Sequence, residues 1–318
     1  MIKAVILDAD TVTGGDVSLE SITSLAETKV YGFSDDENII SRIGDATIVL
    51  TNKCRITRLV MEKCPQIRFI GVFATGYNNV DIEAAKERGI VVSNVPGYST
   101  DSVAQHTFAL ILHYYSSVAA YDKTVKDGDW CYSKLFSYFN IPLFELAGKT
   151  IGIIGYGSIG RAVKRIAEAF NMKVLVCTRT YPKDDSGIKV CSLEKLLRES
   201  DIVTLHCPLN DGTKELINAS TLSLMKKSAI LINTSRGGVI NERDLADALN
   251  SGMIAAAGVD VLTKEPMDMD CPLRNAKNCY FTPHIAWAPL ETRQRLIGLV
   301  RENVSEFISG KPINNVAR

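Results

Sequence analysis

Three residues have the side chains and positions to act on a small acid: Arg236, Glu265 and His284. Arg236 follows the apolar run in Met225–Ile240, MKKSAILINTSRGGVI, and so stands just past the end of a predicted buried strand. Ligands of open α/β sheets bind beyond such strand ends. A guanidinium there can grip a carboxylate in a two-point fork or polarise a carbonyl; a surface arginine that caps a turn fits the same position. The segment Ala257–Pro266, AGVDVLTKEP, ends a second strand and brings Asp260 and then Glu265, with Pro266 stiffening the turn. In YFTPHIAWA, His284 follows a Thr-Pro turn that holds it on a rigid loop. A histidine beside a carboxylate is a proton donor whose protonated form is favoured and whose ring is oriented. Reduction of a carbonyl by hydride needs such a donor, a group that polarises the oxygen and an anchor for the acid. His284, Glu265 and Arg236 supply all three, provided that the fold brings them together.

The element that positions this chemistry begins at Thr150. TIGIIGYGSIG is a short β-rich run ending in Gly155-Tyr156-Gly157-Ser158-Ile159-Gly160, and RAVKRIAEAF continues at helical spacing. Strand, Gly-rich turn and helix together form a dinucleotide-binding pattern. Gly155 permits the tight turn, Gly157 lets a pyrophosphate approach the backbone, and Gly160 lets the helix pack on the strand. The helix start favours the anion. A turn that serves helix–sheet packing alone is the competing explanation. Of the other histidines, His106 and His113 lie in a long helical stretch and read as structural. His206 ends a strand beside Cys207-Pro208 and faces the cofactor edge.

Apolar, β-branched runs alternate with amphipathic stretches along all 318 residues, which predicts parallel sheets with helices on both faces. Strands are expected at 3–7, 29–32, 46–50, 68–72 and 90–93, and after the glycine motif at 173–177, 202–206, 229–233 and 255–259. Helices are expected at 80–88, 192–198, 221–226, 241–250 and 290–308. The Pro-Gly turn at Asn94–Tyr98 divides two α/β units. A single long helix is expected at Ser99–Tyr121, followed by an irregular aromatic arm at Asp127–Ala147. Such an exposed arm marks a subunit interface.

Composition narrows the partners. Lys+Arg and Asp+Glu balance at 36 each, for a formal net charge of zero, without the basic excess that nucleic acid or an anionic membrane demands. No apolar stretch is long enough to span a bilayer. The eight cysteines are scattered without a C-x-x-C pair. With no basic, apolar leader in view, they read as reduced thiols of a cytoplasmic protein, and no metal site is expected.

These segments resemble the D-isomer-specific 2-hydroxyacid dehydrogenases. The matching pieces are ATGYNNVDIEAAKERGIVVSNVPG (74–97), SVAQHTFALIL (102–112), GYGSIG (155–160), LHCPLNDGTKELIN (205–218), INTSRGGVIN (232–241), GVDVLTKEP (258–266) and TPHIAWA (282–288), in the family's order and over nearly the whole chain. The resemblance implies two doubly wound domains around a cleft. A flavodoxin-like substrate domain would comprise residues 1–98 and 290–318, and a Rossmann domain residues 99–289. It implies that His284 is the acid/base, Glu265 its partner, and Arg236 the binder of substrate carboxylate and carbonyl. Main-chain amides around Ala74, Thr75 and Gly76 would hold the carboxylate. Asp260 and the Thr234 carbonyl would hold the nicotinamide amide. Val103, Thr107, His206, Cys207, Pro208, Thr213 and Ser235 would join the glycine motif in lining NAD(H) or NADP(H). Subunits would pair as a homodimer through the dinucleotide-binding domain.

Three positions depart from the family pattern. Thr178-Arg179 replaces the acid that bonds the adenosine ribose. That removes a repulsive neighbour of a 2′-phosphate and supplies a cation for it, so NADPH is expected to be accepted. Gln105 stands where Glu is frequent, a small structural change. Trp287 replaces a small residue and should narrow the substrate site, favouring short acids. The expected reaction is interconversion of hydroxypyruvate and D-glycerate, or of glyoxylate and glycolate. Phosphoglycerate or phosphite oxidation and a dinucleotide-sensing, corepressor-like role remain open on the motifs.

Overall fold

The structure, a computed structural model, describes residues 2–180 and 187–318. The chain divides into two compact units, Met1–Ser99 with Ala288–Arg318, and Thr100–Trp287.

The first unit runs β1 (Lys3–Ile6), α1 (Glu20–Thr23), β2 (Glu27–Val30), α2 (Ile39–Ile43), β3 (Ile48–Thr51), α3 (Arg58–Lys63), β4 (Phe69–Val72), α4 (Ile82–Glu87) and β5 (Val91–Ser93). Its strands pair in parallel in the order β2-β1-β3-β4-β5. β3 and β4 are buried along their whole length, because both faces of a parallel sheet are covered. Helix starts carry the expected caps: Thr57 Oγ1 accepts the Val60 amide and Asp81 Oδ1 the Ala84 amide.

The second unit runs α5 (Thr100–Ser116), α6 (Val118–Lys126), β6 (Thr150–Ile154), α7 (Ser158–Ala169), β7 (Lys173–Cys177), β8 (Lys189–Val190), α8 (Leu193–Glu199), β9 (Ile202–Leu205), α9 (Ala219–Leu222), β10 (Ile230–Asn233), α10 (Glu242–Asn250), β11 (Ala256–Val259) and β12 (Cys279–Phe281). Its sheet is also all-parallel, in the order β12-β11-β10-β9-β6-β7-β8. Successive side chains of a strand point to opposite faces. Leu231 accordingly joins a core with Leu196, Leu205 and Leu245, while Ile230 and Ile232 join one with Phe108, Ile111 and Val163 on the other side. Both faces are apolar, which explains the uninterrupted run AILI. The last helix, α11 (Leu290–Ile308), packs in the first unit, where the Phe307 ring lies 4.7 Å from that of Phe69 and Asn303 Nδ2 donates to the Asn94 carbonyl at 3.0 Å.

The architecture is therefore two parallel α/β units, as the alternation predicts, with local differences. The single helix expected at Ser99–Tyr121 is two helices, broken at Ser117, which has φ +48°. Serine side chains compete for nearby backbone groups, and Ser117 Oγ donates to the Tyr114 carbonyl at 3.4 Å. The strand expected at 29–32 lies at Glu27–Val30. It is a largely exposed edge strand whose place is set by pairing with β1, starting at Lys3↔Glu27, rather than by any apolar pattern. The helix expected at 221–226 begins earlier, because the Asn218–Thr221 capping box starts it at Ala219. Strands β8 and β12 are two and three residues long, too short to show a period.

Candidate active site

All strands of the second sheet run the same way, so their carboxyl ends share one edge. In sheet order from β12 to β7, those ends deliver Thr282, Asp260, Thr234, His206, Gly155 and Thr178. The site segments found in the sequence thus meet because of topology. The order turns at β6, which has β9 on one side and β7 on the other, and such a switch point is where open sheets bind ligands.

At one end of this edge, His284 Nδ1 lies 2.6 Å from Glu265 Oε2. The second carboxylate oxygen accepts the Leu262 amide at 2.9 Å. An ionised carboxylate only accepts, so the shared proton is on Nδ1 and Nε2 is left for a reacting group. The two side chains are about one-third exposed or less, at 27% for His284 and 34% for Glu265, so they remain within reach of a small ligand. His284 has φ +55°, a left-handed conformation uncommon for a residue with a Cβ. Its amide donates to the Asp260 carbonyl at 2.7 Å. The Asp260 side chain, 2% exposed, accepts from the Ile285 and Ala286 amides at 2.9 and 3.0 Å and from Thr282 Oγ1 at 2.5 Å. Asp260 thereby fixes the backbone on both sides of His284.

Arg236 belongs to the turn after β10 and is half-buried, its Nη1 donating to the Ser235 carbonyl at 2.7 Å. Buried Asn233 shapes that turn: Oδ1 accepts the Ser235 amide and hydroxyl at 3.0 and 2.8 Å, and Nδ2 donates to the Arg236 carbonyl at 2.9 Å. Its signal in the sequence is an Asn at a strand end, which favours an Asx turn. The next residue, Gly237, presses on the Glu265 turn, since a Cβ there would lie 1.9 Å from the Leu262 carbonyl carbon. The Arg236 and Glu265 turns are therefore in contact. Glu242 braces the second of them by accepting the Thr263 amide at 2.6 Å.

Most of the remaining predicted residues lie in the second unit. Thr107 Oγ1 bonds Thr234 Oγ1 at 3.1 Å and donates to the Val103 carbonyl at 2.9 Å. Thr213 Oγ1 donates to the Pro208 carbonyl at 2.6 Å, and buried Cys207 packs in the adjoining core. Thr178 is half-buried and Arg179 exposed at the end of β7. Half-buried Trp287 is the last residue of this unit. The Ala74–Gly76 loop belongs to the first unit. There the Val95 amide donates to the Ala74 carbonyl at 2.9 Å, Thr75 Oγ1 donates to the Val95 carbonyl at 2.8 Å, and Asn94 Nδ2 donates to the Thr75 carbonyl at 2.7 Å.

The glycine turn fits a dinucleotide. Gly155 has φ +92°, and a Cβ on it would strike the His206 backbone at 2.6 Å. Gly157 has open space where its Cβ would be and precedes α7 with no side-chain cap on the helix start, and such a helix start suits an anion. His206 adds a second sign. Both ring nitrogens are shut off from solvent without a hydrogen-bond partner among the described residues, although the residue as a whole is half-buried. Their burial pushes its pKa down to about 3, so the ring is neutral and has a donor and an acceptor to offer.

Comparison with known proteins agrees with this geometry. Residues 108–286 match the family described as D-isomer specific 2-hydroxyacid dehydrogenase, NAD binding domain. The chain is 46% identical to a hydroxypyruvate reductase of Blautia hydrogenotrophica over 99% of both chains. It is 38% identical to a glycerate dehydrogenase of Methylorubrum extorquens, over 99% of this chain and 98% of the other. Its fold superimposes on the NADPH-dependent glyoxylate/hydroxypyruvate reductase of Sinorhizobium meliloti with a TM-score of 0.85 and 28% identity, over 100% of this chain and 98% of that one. The strand-edge site, the nucleotide turn and these likenesses together make the chain a member of the D-isomer-specific 2-hydroxyacid dehydrogenase family, an NAD(P)-dependent oxidoreductase that interconverts 2-keto acids and D-2-hydroxy acids.

Proposed function

We propose that this enzyme reduces hydroxypyruvate or glyoxylate, with His284 as acid/base, Glu265 as its partner and Arg236 as the binder of the substrate. The observation that carries the assignment is the 2.6 Å contact of His284 Nδ1 with Glu265 Oε2, which leaves Nε2 to serve the substrate oxygen. The nicotinamide, when bound, supplies the hydride. His284 holds the proton at Nε2 and passes it to the carbonyl oxygen, while Glu265 stabilises the ring as it changes charge. Arg236 grips the carboxylate and polarises the carbonyl. Gly155–Gly160, with Val103, Thr107, Thr178, Arg179, His206, Cys207, Pro208, Thr213, Thr234, Ser235 and Asp260, line the dinucleotide. The names of the relatives favour short, polar acids, as does the bulk of Trp287. Arg179 favours acceptance of NADPH.

Residues 127–147 present Tyr132, Phe136 and Phe139 at 89, 92 and 79% exposure. So much apolar surface is the expected face of a homodimer, and sedimentation at dilute and concentrated protein tests it. All eight cysteines are free thiols, which fits a reducing cytoplasm; cell fractionation checks that placement.

The reaction is tested by following loss of reduced nicotinamide absorbance with NADH and NADPH against hydroxypyruvate, glyoxylate, pyruvate and phenylpyruvate. Turnover of the first two, with NADPH accepted and phenylpyruvate poor, is the expected result. Faster turnover of phenylpyruvate than of hydroxypyruvate would overturn the substrate assignment.

A further inference from the structure

Two residues outside the catalytic set, Thr282 and His106, are linked by hydrogen bonds to Asp260. Thr282 Oγ1 lies 2.5 Å from Asp260 Oδ1 and 2.8 Å from His106 Nε2. A hydroxyl has one proton, and the Asp260 carboxylate can only accept. The Thr282 proton therefore goes to Asp260, and His106 Nε2 carries a proton that it donates to Thr282. His106 Nε2 is itself 3.6 Å from Asp260 Oδ1. The result is a directed chain from His106 through Thr282 to Asp260, and onward through the Ile285 and Ala286 amides to the backbone flanking His284.

Register explains why these groups meet. β11 and β12 pair Val259↔Phe281, so the residues that follow, Asp260 and Thr282, leave the sheet side by side. His106 reaches them from α5, whose next residue, Thr107, bonds Thr234 at the end of β10. One turn of α5 thus braces the strand ends that carry both Arg236 and His284.

We infer that His106 and Thr282 are positioning residues for the reaction, holding Asp260 so that its carboxylate keeps the left-handed His284 aimed at Glu265. The inference rests on the reading of His284 as the acid/base. His284 occupies an unfavourable backbone conformation that persists only where surrounding bonds dictate it. With the Thr282 hydroxyl gone, Asp260 loses one of its donors and the loop loses part of that restraint. A small misplacement of a reacting group costs up to about 100-fold in rate.

The test uses the full-length enzyme, hydroxypyruvate and the better of the two nicotinamide cofactors. Thr282→Val keeps the shape and removes the hydroxyl; His106→Phe keeps a ring and removes the donor. Both are expected to lower kcat by roughly 10–100-fold, with KM, the dissociation constant of the dinucleotide and the melting temperature nearly unchanged. Thr282→Ser is expected to restore kcat to within about threefold of the parent, since the hydroxyl is the agent. The inference is overturned if kcat stays within twofold of the parent in both variants, if serine fails to rescue, or if dinucleotide affinity falls as far as kcat. His284→Ala separates the two levels. An active His284→Ala enzyme refutes the acid/base reading and this inference with it, whereas an inactive one beside fully active Thr282→Val and His106→Phe refutes the inference alone.

Discussion

Glu265 serves His284 with one oxygen and its own turn with the other: Oε2 lies 2.6 Å from His284 Nδ1, and Oε1 accepts the Leu262 amide at 2.9 Å. The carboxylate is therefore oriented before any ligand arrives. Glu265→Gln keeps an acceptor for Leu262 but removes the carboxylate that accepts from His284 Nδ1. A fall in kcat of about 10²-fold, with dinucleotide binding unchanged by fluorescence titration, is the expected outcome. Parent-like kcat would separate Glu265 from the chemistry.

Arg236 offers a planar fork that lysine lacks. Arg236→Lys should therefore raise KM for the keto acid and lower kcat, reducing kcat/KM by roughly 10²-fold, about 2.7 kcal/mol of transition-state binding. Steady-state kinetics at fixed, saturating cofactor checks this. A variant within threefold of the parent would return Arg236 to a turn-capping role.

Gly237 is where the Arg236 turn meets the Glu265 turn. A methyl group there would fall 1.9 Å from the Leu262 carbonyl carbon and 2.2 Å from the Thr263 nitrogen, and backbone atoms yield far less readily than a side chain. Gly237→Ala is expected to cost about 3 kcal/mol in stability, read by urea unfolding, and to abolish most activity in the molecules that remain folded. An alanine variant as stable as the parent would mean that the two turns are not in contact.

His206 gives a pH dependence with a definite sign. Burial lowers its pKa from 6.5 to about 3 in the folded chain. Between those values the unfolded chain binds a proton that the native chain does not, so this residue makes stability fall as pH falls through that window. Urea unfolding at pH 7 and pH 5 should show the parent losing about 1–2 kcal/mol more than His206→Asn over that interval. Equal losses would mean that the ring is solvated in the native chain.

Arg179 bears on cofactor choice. If its guanidinium pairs with a 2′-phosphate, Arg179→Ala should lower kcat/KM for NADPH about tenfold and leave NADH nearly unaffected. Equal effects on both cofactors would remove Arg179 from that role.

The sequence made the polar residues of the site legible where they sit on recognisable punctuation. The Thr-Pro turn before His284, Pro266 after Glu265 and the three glycines of 155–160 each mark a strand end. His106, Thr282 and Asn233 were not legible as parts of the site, because their roles depend on pairing register and on a helix crossing the sheet. A threonine one residue past β12 gains significance only when Val259 stands opposite Phe281. The break at Ser117 escaped for a similar reason, since the apolar pattern continues through it. Edge strand β2 was displaced because, with little burial, only its partner fixes its position.

The most direct test of the account compares the parent with His284→Ala for reduction of hydroxypyruvate, with dinucleotide affinity measured on the same samples. The account predicts a loss of kcat/KM of about 10³-fold or more with dinucleotide affinity unchanged. A variant that binds dinucleotide normally and retains turnover within tenfold of the parent would contradict it.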